Sequence, residues 1–330
     1  MVVRDHDACN PSQNRVTMED SSRITASAAG LIGRTPVLEL SRVWSGPARN
    51  LAKAEFMQPG GSVKDRAARA IIEAARADGR LKPGAPVVEM TSGNMGAGLA
   101  VVCAALGHPL IVTMSAGNSP RRARMLESLG AEVVIVPQVA GEPGQVTGPD
   151  IAAAARVAEM IAAERNGFYV DQFHALEGKL AHETGTAQEL LDAAGGLIDG
   201  WTACVGTGCT FLGVARALRR NNPRVVCGAV EPAGCQVLAG KAITKAKHLL
   251  QGAGYGSVPA MWEPELMSCS IAVSDDEATV WKQRLATEEG LHVGFTAAAN
   301  VCAASKMLSS GAFAPEATVA TVLCDTGLKY

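Results

Sequence analysis

Short apolar runs alternate with longer segments of helical periodicity along most of this 330-residue chain. The clearest helical segment begins at Lys64, and its apolar side chains recur at the spacing of a buried stripe, namely Ala68, Ile71, Ile72 and Ala75. The predicted strands cover residues 36–40, 51–55, 87–90, 110–113, 133–136, 169–173, 201–205, 225–230, 271–273 and 319–323. Because strand-helix alternation is typical of parallel sheets covered by helices, the pattern predicts an α/β fold with mostly parallel, twisted sheets.

The remaining predicted elements are helices and one long loop. One helix carries Leu99, Val102, Cys103 and Leu106 on one face, and others cover residues 121–129, 151–166, 178–193, 211–218 and 296–308. Residues 139–149 are polar and rich in glycine and proline, which predicts a long surface loop. Residues 1–22 predict a disordered polar arm.

Composition narrows the class of protein and of partner. The chain is 48% hydrophobic and 19% charged, as in ordinary soluble proteins, and it is long enough for two domains. Its formal net charge of -2 lacks the basic excess that nucleic-acid or membrane partners favour, so we predict neither and expect a small-molecule substrate. No uninterrupted apolar run reaches membrane-span length, and early acidic residues argue against an export signal.

The nine cysteines are an odd number, and most lie inside apolar runs. We interpret them as reduced core thiols of a cytoplasmic protein. Since no CxxC pair occurs and the six histidines do not cluster, no metal site is predicted.

Lys64 is the first candidate for chemistry, because it stands where a glycine-rich turn enters a helix. Gly60 and Gly61 permit the turn, and Ser62 with Asp65 three residues later forms a capping-box pattern. The alternative is an ordinary solvated lysine, since lysines are seldom buried. Two further turns, each between a strand and a helix, weigh against that alternative.

The first of these turns predicts a phosphate site. It opens a helix, where successive backbone N–H groups and the positive helix end can hold an anion. Its residues are Gly206, Thr207, Gly208, Cys209 and Thr210. The turn lacks the features of a nucleotide P-loop and of a dinucleotide fingerprint, and it could also be only a tight connection.

The second turn is rich in hydroxyl and amide side chains and suits a carboxylate. Its residues are Thr91, Ser92, Gly93, Asn94, Met95 and Gly96. The simpler alternative is a helix N-cap by Ser92 or Asn94. One lysine, one phosphate site and one carboxylate site are what an amino acid bound as a Schiff base to a phosphorylated aldehyde cofactor requires.

These motifs resemble those of the cysteine synthase/cystathionine β-synthase family of fold-type II pyridoxal-phosphate enzymes, over nearly the whole chain. The matching stretches are 32–36 (I-G-x-T-P), 61–66 (G-S-V-K-D-R), 91–96 (T-S-G-N-T-G), 172–173 (Q-F), 206–210 (G-T-G-G-T) and 325–330 (S-G-x-R-Y). The resemblance implies pyridoxal 5′-phosphate, a homodimer and two α/β domains like those of the tryptophan synthase β subunit. The smaller domain would span residues 45–177, and the larger residues 23–44 and 178–330.

The resemblance also implies roles for single residues. Lys64 would hold the cofactor as a Schiff base and later move the substrate's α-proton. Asn94 would bond the cofactor's ring hydroxyl, residues 206–210 its phosphate, and Thr296 its pyridine nitrogen, although Thr296 could also be a helix N-cap. The residues implied to hold the substrate are Thr91, Ser92 and Gln172 at its carboxylate, with Gly93 and Met95 in the same loop.

Some residues depart from the family's motifs. Met95 stands where threonine is usual, which predicts a pocket reshaped for a bulkier or less polar substrate or nucleophile. Cys209 replaces a glycine, which fits only if its φ is negative or its side chain points away from the cofactor. Residues 115–118 and 175–178 differ from the family's P-E-T-M and N-P-A-N.

The predicted reaction is β-replacement on an L-serine with an activated hydroxyl, such as O-acetylserine or O-phosphoserine. Loss of acetate or phosphate would leave an α-aminoacrylate, to which a small nucleophile adds. Sulfide is the nucleophile that the resemblance implies, while an amine, an amino acid or another thiol, giving a non-protein amino acid, stays open. The alternatives are a β-eliminating serine/threonine ammonia-lyase and, outside catalysis, a cofactor-binding scaffold.

Overall fold

The computed structural model describes residues 24–140 and 146–329, which form two mostly parallel sheets covered by helices. The α/β fold class predicted from the sequence is confirmed. The predicted arm at 1–22, part of the predicted loop at 139–149 and the last residue of the 325–330 motif lie outside the described residues. Within the described ranges, no helix is long and apolar enough to cross a membrane.

The elements follow one another in strict alternation over much of the chain. The described strands are β1 (Val37–Glu39), β2 (Arg49–Lys53), β3 (Val87–Met90), β4 (Leu110–Ser115), β5 (Glu132–Val136), β6 (Phe168–Tyr169), β7 (Gly200–Cys204), β8 (Val226–Pro232), β9 (Cys269–Val273) and β10 (Thr318–Val322). The described α-helices are α1 (Lys64–Ala77), α2 (Asn94–Leu106), α3 (Pro120–Ser128), α4 (Gly148–Glu164), α5 (Leu176–Ala181), α6 (Ala187–Ala194), α7 (Cys209–Asn221), α8 (Asp275–Glu288) and α9 (Phe295–Ser309).

The larger sheet has six strands in the order β1-β2-β10-β7-β8-β9. All neighbouring pairs are parallel except β1 with β2. Side chains of α6 and α7 pack on one face, where Leu190 and Phe211 meet Trp201 of β7. Helices α8 and α9 cover the other face, with Leu285 and Val301 in its core. Both faces of this parallel sheet are therefore buried, as its apolar strands predict.

The smaller sheet has four parallel strands in the order β5-β4-β3-β6. Helices α1 and α2 cover one face, and Ile71 and Leu99 pack there against Val87. Helix α4 covers the other face, where Ala158 meets Val88. The stripe predicted from the period of the Lys64 helix is thus the face that α1 buries.

Strand β2 pairs in the larger sheet, although the predicted boundary at residue 45 assigns it to the smaller domain. Its residue Ala52 is in register with Leu38 of β1 on one side and Thr321 of β10 on the other. We infer that the chain leaves the larger domain only after Lys53, and the remaining boundaries stay predictions.

One predicted strand ends early at a turn, and one predicted helix is divided. The strand predicted over 169–173 ends at Tyr169, because Asp171 adopts a left-handed conformation with φ +48° and turns the chain. The helix predicted over 178–193 is divided by a π-helical turn at His182–Thr186. Gln172 therefore lies in a turn rather than in a strand.

Helix α8 was not predicted, because it buries little apolar surface. Only Ala278 and Leu285 of its residues are buried. A signal for its start is present, since Ser274 and Glu277 form a reciprocal capping box at 3.1 and 2.9 Å.

Candidate active site

One cavity beyond the carboxyl ends of β7 and β10 brings together residues from both sheets and their helices. It is lined by all the residues predicted to act on the cofactor, namely Lys64, Asn94, Gly206, Thr207, Gly208, Cys209, Thr210 and Thr296. This edge is where open parallel sheets bind ligands. Lining residues that the sequence analysis did not assign to a site include Cys204, Gln251, Cys324 and Asp325. Their position at or just beyond the end of a strand, or beside a glycine turn, was the available signal.

Lys64 is the first residue of α1 and is partly buried at the cavity. Its turn is held differently from the predicted capping box. The Asp65 carboxylate accepts a hydrogen bond from the Gly60 N–H and not from that of Ser62. Gly61, at φ +72°, curls the chain so that Gly60 faces Asp65. Burial raises the pKa of Asp65 to about 6, which the nearby Lys329 charge opposes.

The glycine turn after β7 has the geometry of an anion site. Gly208 has a φ of +92°, and Cys209 begins the 13-residue helix α7. A β-carbon at Gly206 would overlap the carbonyl oxygen of Gly252, so only glycine permits this close approach. The turn thus directs a helix N-terminus at the cavity, and these residues fit the phosphate of the predicted cofactor.

Cys209 meets the conditions that its departure from glycine requires. It is not among the described non-glycine residues with positive φ, and its side chain is buried in the core that α7 forms with the larger sheet. A β-carbon at Gly178 would lie 3.2 Å from its Sγ, so the thiol points toward α5. The cysteine is therefore compatible with the backbone of this turn.

Asn94 is oriented by two charged neighbours. Its Nδ2 donates to Asp325 Oδ2 at 2.7 Å, and its Oδ1 accepts from Lys329 Nζ at 2.8 Å. Lys329 also donates to the Gly60 carbonyl at 2.6 Å, which ties the closing motif to the Lys64 turn. Burial lowers the pKa of Lys329, while Asp325 and Asp65 act against that effect. Asn94 was predicted from the sequence, whereas these partners were not.

Thr296 lines the cavity and is the second residue of α9, whose N-cap is Gly294. The alternative role of Thr296 as the N-cap is therefore corrected. Its hydroxyl donates to the Gln251 carbonyl at 2.9 Å. A hydroxyl has one proton to donate. Thr296 can therefore serve the unprotonated pyridine nitrogen that the resemblance implies only when its hydroxyl turns away from the Gln251 carbonyl.

The loop predicted to hold the substrate carboxylate leads into α2. Gly93 is the N-cap, and no side chain caps this helix, which corrects the alternative that Ser92 or Asn94 does so. The first turn of α2 therefore offers backbone N–H groups to an anion. Thr91 accepts a hydrogen bond from the Gly93 N–H at 3.3 Å, and Ser92 accepts one from Arg122 at 3.1 Å. Thr91, Ser92 and Gly93 do not line the cavity described above.

Gln172 is turned toward a buried carboxyl group. Its Nε2 donates to Glu89 Oε1 at 2.9 Å, and Gln172 does not line the cavity. Burial raises the pKa of Glu89 to about 8, against the hydrogen bond from Gln172. An acidic residue inside the apolar β3 run was the signal for Glu89, which the sequence analysis missed.

The Met95 side chain lies in the core of the smaller domain, which corrects the prediction that it reshapes the substrate pocket. It is 2% exposed and packs in the same cluster as Leu99 and Leu126. The reason is its position on α2, since Met95 and Leu99 are four residues apart on the buried face. Only the backbone of Met95 remains to contact a substrate.

We expect Met95→Thr to lower the free energy of unfolding by about 2–4 kcal/mol, because it removes buried apolar volume and buries a hydroxyl group. Urea unfolding measures this effect. Met160→Thr is the matched control, since Met160 is exposed on α4, and it should change stability by less than about 0.7 kcal/mol. A Met95→Thr variant of unchanged stability and altered nucleophile preference would contradict the burial argument.

Comparisons with known proteins agree with this geometry. The sequence model of the family described as "Pyridoxal-phosphate dependent enzyme" matches residues 28–325. A cysteine synthase of Staphylococcus aureus (strain Mu50 / ATCC 700699) is 38% identical over 305 residues, which cover 91% of this chain and 93% of that protein. Solved structures are similar as well. Cysteine synthase from Entamoeba histolytica has a TM-score of 0.86 at 29% identity, covering 96% of this chain and 92% of its own. O-ureido-L-serine synthase has a TM-score of 0.84 at 32% identity, and the match covers 93% of this chain and 94% of that one.

Proposed function

The chain belongs to the fold-type II pyridoxal-phosphate-dependent enzymes related to the cysteine synthases, and from this premise we propose that it catalyses β-replacement on an O-activated L-serine. Membership of this family shows that the protein is an enzyme and that its cofactor is pyridoxal phosphate. The single observation that supports the reaction is the cavity in which Lys64, Asn94, Thr296 and the glycine turn of 206–210 meet.

Each group in this proposal has a separate task. Bound pyridoxal phosphate supplies an electron sink that acidifies the substrate's α-proton. The backbone N–H groups of residues 206–210 hold the phosphate, and Asn94 and Thr296 orient the ring. Lys64 would hold the cofactor through Nζ, and its free amine would move the α-proton. The N-terminus of α2 binds the α-carboxylate.

The leaving group and the nucleophile are the finer part of the proposal. Acetate or phosphate leaves, and sulfide is the first nucleophile to test, because cysteine synthases are among the relatives. The similar structure named O-ureido-L-serine synthase is a reason to test others, since the name of its product differs from cysteine. The cytoplasmic location and the homodimer stay predictions.

The test incubates the holoenzyme with O-acetyl-L-serine or O-phospho-L-serine, each with sulfide, with small amines, amino acids and thiols, and with no nucleophile. We expect an amino-acid product whose mass equals that of the serine skeleton plus the nucleophile. Pyruvate and ammonia formed at the same rate without any nucleophile would instead support the ammonia-lyase. Absence of product in every mixture would contradict both reactions.

A further inference from the structure

Arg122 is a partly buried guanidinium at the side of the substrate loop, and its hydrogen-bond acceptors are all neutral. Its Nη1 donates to the Ser92 carbonyl at 3.2 Å and to the Ser92 hydroxyl at 3.1 Å. Its Nη2 donates to the side-chain oxygen of Gln251. Within the described residues, Arg122 forms no ion pair with a carboxylate, unlike Arg66 with Glu55.

The position of Arg122 places this charge between the two domains. Ser92 precedes α2 in the smaller domain, whereas Gln251 belongs to the larger one and lines the cavity. The carbonyl of the same Gln251 accepts from Thr296. A β-carbon at Gly93 would lie 3.8 Å from Arg122 Nη1 and, among the described residues, within 4 Å of no other side chain. The guanidinium therefore lies beside Gly93, and the space next to this glycine is otherwise open.

A pair of aromatic side chains lies close to the glycine turn of the cavity, since a β-carbon at Gly206 would be 3.6 Å from Tyr255 Cε2. Tyr255, four residues after Gln251, meets Phe173 edge to face with ring centroids 5.8 Å apart. Phe173 comes from the turn after β6, so this contact also joins segments of the two domains. A planar cation beside hydroxyl, amide and aromatic groups forms a selective environment for a substrate group that extends beyond the cavity.

A guanidinium that is partly withdrawn from water and bonded only to neutral acceptors gains most from an anion. The α-carboxylate of the substrate is already assigned to the N-terminus of α2. We propose that Arg122, with the Ser92 hydroxyl, forms a subsite for a second oxyanion, a phosphate or a carboxylate carried by the leaving group or by the nucleophile. When this oxyanion binds, it replaces the side-chain oxygen of Gln251 as the acceptor of the hydrogen bond from Nη2. This subsite rests on the proposed β-replacement.

The binding experiment uses inorganic phosphate as the probe and calorimetry on the holoenzyme. The variants are Arg122→Gln, Arg122→Lys and, as the matched control, Arg121→Gln, since Arg121 is the exposed neighbour in α3. Phosphate should bind the wild type and Arg121→Gln, bind Arg122→Lys more weakly, and bind Arg122→Gln about 10- to 100-fold more weakly. Equal phosphate binding by all four proteins, or no binding by the wild type, overturns the subsite. Thermal unfolding checks that the two Gln variants are equally folded.

Two kinetic arms identify which group carries the oxyanion. The first compares O-phospho-L-serine with O-acetyl-L-serine, both with sulfide. A fall in kcat/KM of about 10- to 100-fold in Arg122→Gln for the phosphorylated substrate alone assigns the subsite to the leaving group. The second compares L-aspartate with L-alanine as nucleophile, and a rise in KM for aspartate alone assigns it to the nucleophile.

Different results would contradict the subsite and the proposed function. If Arg122→Gln lowers kcat/KM equally for all substrates and nucleophiles, Arg122 serves the shared α-carboxylate or the shape of the loop, and the subsite is wrong while β-replacement stands. If the wild type makes no product at all, the proposed function fails, and the phosphate titration still decides whether Arg122 binds an oxyanion.

Discussion

Replacing Lys64 by alanine is expected to lower turnover by at least about 10³-fold, since a positioned proton-transfer group alone contributes about 10²–10⁴-fold. The variant also loses the covalent hold on the cofactor. Lys64 suits this role because it lines the cavity and, within residues 24–140 and 146–329, forms no ion pair with a carboxylate. The rate is measured as the amount of product formed with time, with the product identified by its mass. Borohydride reduction of the wild type should fix the cofactor to the peptide that contains Lys64.

Lys82→Ala is the control for this experiment, because Lys82 is exposed beyond the end of α1. It should retain wild-type rates. Lys53 is the other nearby lysine, but it is buried and forms an ion pair with Glu189 at 2.7 Å. A label found on Lys53 or Lys82 would show that the site has been assigned to the wrong lysine.

Local periodicity was sufficient to predict most of the fold. The stripe of Ile71 and Ile72 and the apolar run of β3 specify their elements through neighbours in sequence. Helix α8 was not predicted, because its buried positions are too few to produce a helical period of apolar residues. The left-handed conformation of Asp171 was not predicted, because aspartate adopts it only where tertiary structure requires it.

The candidate site was predictable only in part, for a related reason. Motif chemistry and family resemblance singled out Lys64, Asn94 and the 206–210 turn, and the structure brings them into one cavity. Partners such as Asp325 for Asn94, or Glu89 for Gln172, depend on how distant elements pack. The burial of Met95 could have been predicted, since it extends the stripe that begins at Leu99 backward by one helical turn.

Arg66→Met is expected to lower the free energy of unfolding by about 3–5 kcal/mol, because it leaves a buried carboxylate without its partner. Arg66 donates to both oxygens of Glu55 at 2.8 and 2.9 Å, and Glu55 is 0% exposed. It also donates to both oxygens of Glu189, each at 2.7 Å. Since Glu189 lies in α6 beside the larger sheet, the interaction fastens α1 and its Lys64 to the other domain. Urea unfolding at neutral pH measures the loss.

The same network makes stability depend on pH. Burial alone would raise the pKa of Glu189, but hydrogen bonds and charges of Arg66 and Lys53 lower it to about 2 from the ordinary 4.5. A carboxyl group whose folded pKa is depressed contributes stability above its unfolded pKa, and that contribution is lost as the pH falls. The wild type should therefore lose stability between about pH 4.5 and 2. Arg66→Met should lose less over that interval, because the Glu189 pKa rises toward its ordinary value.

Arg69→Met is the matched control, one helical turn from the buried pair. Arg69 forms an ion pair with Glu73 at 2.8 Å, and their side chains are 37% and 47% exposed. Exposed pairs of this spacing contribute only about 0.3–0.5 kcal/mol, so this variant should unfold close to the wild-type urea midpoint. If Arg66→Met were no less stable than Arg69→Met, the buried network would not fasten α1. The position of Lys64 would then depend on the Gly60–Asp65 turn and on Lys329 alone.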